Sequence, residues 1–226
     1  MEEDKLFAVK RRLFHEGFSR NNYDLVRETL EKYPELLNAS VEAIDPEDRD
    51  WDEDDGQTPL LSAIAFSDYE MFRMLVEDFK VDLDQGDYQG RNALWKLSSI
   101  DYKDRMHWVD LLLKHGVNIH TATYEGMTPL MLAAKEDYIE MVEKLLDLGV
   151  DASAKNNNGA NALHWMGMAY DGVRDEALIE QIIKLLLEHG VDINAKNNYG
   201  MTALYLAKKY NRPEVAKILL KYGAKE

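Results

Sequence analysis

The sequence predicts an all-α protein built from repeated helix pairs, and three observations predict it. One phrase closes each unit, another opens it at a near-constant step, and the residues between them carry helical periodicity. The closing phrase appears as Leu111-Leu112-Leu113-Lys114-His115-Gly116-Val117-Asn118-Ile119 and as Lys144-Leu145-Leu146-Asp147-Leu148-Gly149-Val150-Asp151-Ala152. It appears again as Leu185-Leu186-Leu187-Glu188-His189-Gly190-Val191-Asp192-Ile193, and in short form as Ile218-Leu219-Leu220-Lys221-Tyr222-Gly223-Ala224. The opening phrase is Gly56-Gln57-Thr58-Pro59-Leu60, Gly90-Arg91-Asn92-Ala93-Leu94, Gly126-Met127-Thr128-Pro129-Leu130, Gly159-Ala160-Asn161-Ala162-Leu163 and Gly200-Met201-Thr202-Ala203-Leu204. Its glycines lie 34, 36, 33 and 41 residues apart, a period that marks a repeat architecture.

Before Gly56 the period is lost but helical signals continue. Leu6, Val9, Leu13 and Phe14 predict one helix. Tyr23, Leu25, Val26, Thr29 and Leu30 predict a second, starting after Asn21-Asn22 and ending near Tyr33-Pro34. Residues 1–40 read as a degenerate N-terminal cap repeat. Residues 41–55 read as an acidic linker, with nine acids between Glu42 and Asp55 against one base, Arg49, and with Trp51 in their midst. Charges of one sign packed this closely favour an extended segment. An aromatic among acids suits docking to a basic surface, and a solvated loop whose Trp folds back is the alternative.

Within each repeat the opening Gly suits a tight turn, and the next Thr or Asn is placed to cap a helix. Pro59 and Pro129 fall at the first helical position, where a missing N–H costs nothing. Leu130, Leu132, Ala133 and Ala134 predict a short helix with a small-residue face. Ile139, Met141, Val142, Leu145 and Leu146 predict a second, amphipathic one that Gly149 stops. The units run at about 53–86, 87–122, 123–155, 156–196 and 197–226. The fourth carries about 8 extra residues near 168–175 and the second about 3 near 101–104. Lys208, Lys209, Lys217, Lys221 and Lys225 give the last unit a basic outer side suited to a C-terminal cap.

These phrases resemble the ankyrin repeat, and residues 123–155 match its pattern almost position by position. The resemblance covers about 53–226. It implies a repeat solenoid: antiparallel helix pairs with projecting β-hairpin loops, stacked so that each unit covers its neighbour's apolar face. It also implies protein binding through hairpin tips and the outward side of each first helix. The tip positions are then Asp54, Asp55 and Gln57; Tyr88, Gln89 and Arg91; Tyr124, Glu125 and Met127; Asn157, Asn158 and Ala160; Asn198, Tyr199 and Met201. The helix positions are Phe66, Ile100, Lys135, Glu136 and Tyr210. Repeat mechanics do not require Tyr88, Tyr124 and Tyr199, and aromatic residues and Met are enriched at interfaces. A ring lying across its own or a neighbouring hairpin is the competing reading. Trp95 and Trp165 read as packing residues.

Composition sets limits on chemistry. The chain has 226 residues, 46% of them hydrophobic, which is ample for a core. Its formal net charge of −15 repels nucleic-acid phosphates and anionic lipid and attracts basic proteins. There is no cysteine, so disulfides and thiolate metal sites are excluded. The first residues lack a secretory signal, no apolar run approaches a membrane span, and the expectation is a soluble cytoplasmic monomer. A calcium loop starting at Asp50 fails, because Asp55 stands where Gly is needed and Leu61 where a bidentate acid is needed. His164 holds the ankyrin family's usual His position, where the ring supports the hairpin. His115 and His189 serve helix ends, and His15, His107 and His120 are isolated. No nucleophile elbow, phosphate loop or dinucleotide motif occurs, and no cofactor is expected.

The function expected is a non-catalytic module binding a basic protein partner, with Trp51 among its contacts. One alternative is an immunity-type inhibitor that neutralises a basic toxin or nuclease. Another is a metal-dependent regulator or enzyme using the acids from Asp45 to Asp55.

Overall fold

The computed structural model describes residues 2–39, 56–99, 105–168 and 175–225. Twelve α-helices lie among them, divided between two compact units that meet in sequence at Asn118 and Ile119. Each unit is a stack of helix pairs, the arrangement that the ankyrin resemblance implies.

In the first unit α1 (Glu2–Arg12) runs on through a π-helical turn, Leu13–Phe18, to α2 (Tyr23–Lys32). The helix pairs α3 (Pro59–Ala65) with α4 (Tyr69–Met74), and α5 (Ala93–Leu97) with α6 (Arg105–Lys114), follow. The apolar stripe of each helix is what the stack buries. Leu13, Phe18, Val26 and Leu30 are inaccessible, as are Leu60, Ile64, Phe72 and Leu75. Phe72 packs on Trp108 with ring centroids 4.8 Å apart. Each such side chain contributes about 1.5–3 kcal/mol of transfer free energy when fully buried. Polar contacts fix the register of the first two pairs. The Tyr23 hydroxyl donates to Asp68 at 2.9 Å, Asp68 caps α4 by accepting from Met71 N–H, and Arg27 meets Asp78 at 2.6 Å.

The second unit holds α7 (Pro129–Lys135), α8 (Ile139–Asp147), α9 (Ala162–Met168), α10 (Glu176–Glu188), α11 (Ala203–Lys209) and α12 (Pro213–Lys221). The first helices α7, α9 and α11 stack in a row, and small residues make this approach possible. A Cβ added at Gly167 would stand 2.8 Å from the Ala203 carbonyl oxygen and 3.1 Å from Ala207 N. On the outer side α12 is tied to α10 by Lys217–Glu176 at 2.6 Å, and by Lys221 and the Tyr222 hydroxyl on Glu180.

The expected caps form. Thr58, Asn92, Thr128, Asn161 and Thr202 each accept the backbone N–H three residues on. Gly149 ends α8 at φ +80°, in the left-handed region that favours glycine. The projecting hairpin loops form without extended strands. No described residue forms a β-strand; the loops are closed turn by turn.

Candidate protein-binding surface

Every described tip is built on one device. Its first residue is Asp87, Thr123, Asn156 or Asn197, a short polar side chain that folds back onto its own loop. Asp87 N–H donates to the Arg91 carbonyl, and Gly90 N–H returns to the Asp87 carbonyl at 2.8 Å. The same pair of bonds closes 123–127, 156–160 and 197–201. Side-chain oxygens complete the loop: Asn156 Oδ1 accepts from Asn158 and Ala160, and Asn197 Oδ1 from Tyr199 and Met201. This is the Asx-turn chemistry that makes Asp and Asn turn residues.

In the second unit the tips are also bonded to one another. Asn157 N–H donates to the Glu125 carbonyl at 2.9 Å and its side-chain amide to the Tyr124 carbonyl at 2.8 Å. One repeat further, Asn198 N–H donates to the Asn158 carbonyl and its amide to the Asn157 carbonyl at 3.0 Å. The amides of Asn157 and Asn198, read from sequence as binding groups, are therefore engaged in holding the row of tips in register. Tyr88 stands at the equivalent position of the first unit. Its ring lies against Gly56, so close that a Cβ there would meet ring carbons at 2.8 Å. The competing reading thus holds in part for Tyr88, which still leaves 53% of the residue accessible.

The other tyrosines stand free of the loop mechanics. Tyr124 is 75% and Tyr199 66% exposed, and only a long 3.4 Å contact joins the Tyr199 hydroxyl to Asn158 Oδ1. Tyr199 sits one residue later in its tip than Tyr88 and Tyr124 do in theirs, at the place of Gln89, Glu125 and Asn158. Phe66 and Tyr210, at matching ends of α3 and α11, are exposed, and the Lys209 ammonium lies 5.6 Å from the Tyr210 ring centroid. Gln89, Glu125, Asn157, Asn158 and Asn198 are exposed, Gln57, Met127 and Met201 are half-buried, and Ala160 is buried. Lys135 and Glu136 pair with each other at 2.7 Å. Arg91 is turned inward to Asp87. Trp51, Asp54, Asp55 and Ile100 lie outside the described residues, as do most of the two insertions. Trp95 and Trp165 are half-buried, as expected of packing residues.

Tyr205 was not foreseen. It is half exposed on α11, at the place His164 holds on α9. The signal was present in the alignment of Thr202-Ala203-Leu204-Tyr205 with Asn161-Ala162-Leu163-His164, which places the two side chains at equivalent positions of their helices.

Two buried ionisable groups serve structure. Burial pushes the Asp87 carboxyl up, but the Arg91 backbone N–H and guanidinium, the Gln89 N–H and the Lys96 ammonium outweigh it. The group is left below the ordinary carboxylate range. His164 is buried and its pKa is driven down by desolvation, so the ring is neutral. Its Nε2–H donates to the Met201 carbonyl at 3.1 Å and Nδ1 accepts from Asn161 N–H at 3.2 Å, linking α9 to the following hairpin. Among the described residues no group of three or more His, Asp or Glu could hold a metal ion, and no helix is long and apolar enough to cross a membrane.

Known proteins carry the same signatures. Family models for ankyrin repeats match residues 112–164, 149–226 and 55–85. Protein phosphatase 1 regulatory subunit 27 of Mus musculus is 31% identical over 100 residues, 44% of this chain and 63% of that protein. The neurogenic locus notch homolog protein 1 of Xenopus laevis is 29% identical over 110 residues, 49% of this chain and 4% of that protein. The chain thus spans less than two thirds of these relatives. An ankyrin repeat domain from Acinetobacter baumannii AYE superposes with a TM-score of 0.70 at 24% identity, covering 95% of this chain and all of that one. Matching models, recurring tips and a shared fold agree: the chain belongs to the ankyrin repeat family.

Proposed function

We propose that this protein is a non-catalytic module that captures a protein partner on its hairpin tips and on the outward ends of its first helices. The observation that carries the reading is the exposure of Tyr124 and Tyr199 on tips whose closure is performed by other residues. A large ring held in water without a structural duty is interface material, since it buries much area at low entropic cost. The hydrogen-bonded tips of the second unit supply the preorganisation that makes such contacts productive. The name of one relative, a phosphatase regulatory subunit, gives a regulatory role to that protein, and a role of that class here supports the reading.

The partner is a basic protein. Support comes from charge placement: residues 42–55 carry nine acids and one base, so eight of the fifteen net negative charges fall in that tract. The tips themselves are nearly neutral, with Glu125 and the mutually paired Asp87 and Arg91 the charged members among those described. Contacts at the tips are therefore apolar and hydrogen-bonding, and the acidic tract contributes encounter rate. Capture from native lysate at low and high salt tests this. The account expects capture that weakens moderately with salt and is lost in the variant Tyr88→Ala, Tyr124→Ala, Tyr199→Ala. Capture retained by that variant would move the site elsewhere.

A further inference from the structure

The second unit holds a cavity of about 130 Å³ between the loop 119–121, the loop 150–154 and the helices α7 and α8. Its depth is apolar: Leu130 of α7 and Leu145 of α8 are buried, and Ile119 and Val150 are half-buried. Its accessible end is polar, with His120 and Asp151 exposed and Thr121 half-buried. A cavity of this size accepts an apolar group of about six heavy atoms, the size of benzene. Asp151 is the acid of the lining, and among the described residues no lysine or arginine lines it. One Asp151 oxygen accepts the Ser153 N–H at 2.9 Å, and no cation among the described residues pairs with this carboxylate. Asp78, Asp87, Glu176 and Glu180, by contrast, each meet a lysine or arginine of their own chain.

We propose that this cavity takes a lysine side chain of the protein partner, its stem against Leu130, Leu145 and Val150 and its ammonium on Asp151. The inference rests on the reading of the partner as basic, and deepens it by naming the side chain recognised. Lysine joins a flexible four-carbon stem to a compact point charge, which matches an apolar depth that ends at a single carboxylate. Arginine matches less well. Its planar fork pairs with both oxygens of a carboxylate, and one oxygen of Asp151 is already held by the Ser153 N–H. A neutral apolar side chain would fill the depth and leave the carboxylate without its counter-charge. The length of the lysine stem keeps the partner's backbone outside while the charged head stays at the wet end.

Methyl NMR on the purified full chain tests it. The probe is Nα-acetyl-lysine methylamide, with the norleucine and arginine analogues as controls, in buffer above the ordinary histidine range. The lysine analogue is expected to shift the Leu130, Leu145 and Val150 methyls saturably, with a dissociation constant on the order of 1–10 mM. Norleucine keeps the stem and lacks the charge; it and arginine are each expected to bind at least about tenfold more weakly. Asp151→Asn keeps an oxygen for the Ser153 N–H, and Asn118 already stands at that place one repeat earlier. It should weaken the lysine analogue by the same factor. Ala154→Leu, which fills the cavity from its lining, should abolish the shifts. Methyl spectra of both free variants check that they fold. The variant Tyr88→Ala, Tyr124→Ala, Tyr199→Ala is expected to take up the analogue as the wild type does, so failure of this site is separable from failure of lysate capture. No shift, or shifts that never saturate, overturn the proposal. So does norleucine or arginine binding as tightly as lysine, unchanged affinity in either cavity variant, or lost binding in the tyrosine variant.

Discussion

Asp87 is a carboxylate whose side chain is almost wholly removed from water, yet four donors reach it from Gln89, Arg91 and Lys96. Such a group holds a tip together only while it is ionised. Replacing it with Asn keeps the shape and removes the charge, and is expected to cost about 1.5–3 kcal/mol, the range for hydrogen bonds to charged groups. The pH dependence follows from its lowered pKa. The unfolded carboxyl titrates near 4, so the contribution is whole above that value and is lost as pH falls through the folded pKa. Urea melts from pH 6 downward should show the wild type losing its advantage over Asp87→Asn across the acid range; parallel curves would contradict the assignment. Asn198→Ala removes a bond between tips and should cost about 1 kcal/mol in the same melts. No loss at all would mean the row of tips is held without its amides. The caps Thr58, Asn92, Thr128, Asn161 and Thr202 were legible from sequence because each acts within three residues. The duty of Asn157 and Asn198 was not, because their acceptors lie 33 and 41 residues away.

The turn between the two helices of a pair is the strained part of the repeat. Ser67, Asp137 and Asn211 occupy it with φ of 56°, 59° and 55°, a region that costs a side-chain-bearing residue roughly 1 kcal/mol. Ser67 is exposed, so Ser67→Gly should relieve that strain and raise stability by up to about 1 kcal/mol, read as a higher melting temperature. A lower one would show that the serine contributes contacts worth more than its backbone costs. Helix positions were legible because apolar spacing and caps agreed: α2 starts and stops where Asn22 and Tyr33 place it. The form of the hairpins was less so. The family resemblance implied β-hairpins, and the five-residue tips are closed across their base by backbone pairs and Asx bonds, with no strand assigned among the described residues.

At the scale of the molecule, the distribution of charge governs what kind of partner is expected. The overall value of −15 suggested an acidic binding face, and the sequence offered Tyr-bearing tips to go with it. The folded tips separate the two: tyrosines and amides stand on the surface, while the acid excess is concentrated in residues 42–55. Tyr205 escaped notice because it holds the position of the buried His164, so nothing in its own phrase marked it as exposed. If the tract were a metal site, millimolar calcium, magnesium or manganese would raise the melting temperature by mass action. No shift is expected, and a rise would make the metal-dependent reading the better one. The central claim, that the tyrosine-bearing tips are the binding surface, is tested most directly by titrating the captured partner against wild type and against the Tyr88→Ala, Tyr124→Ala, Tyr199→Ala variant. The account predicts an affinity lower by roughly 100-fold or more, since hot-spot truncations cost 2 kcal/mol and upward, with a melting temperature lowered only by the loss of Tyr88 packing on Gly56. Affinity within about twofold of wild type would contradict it.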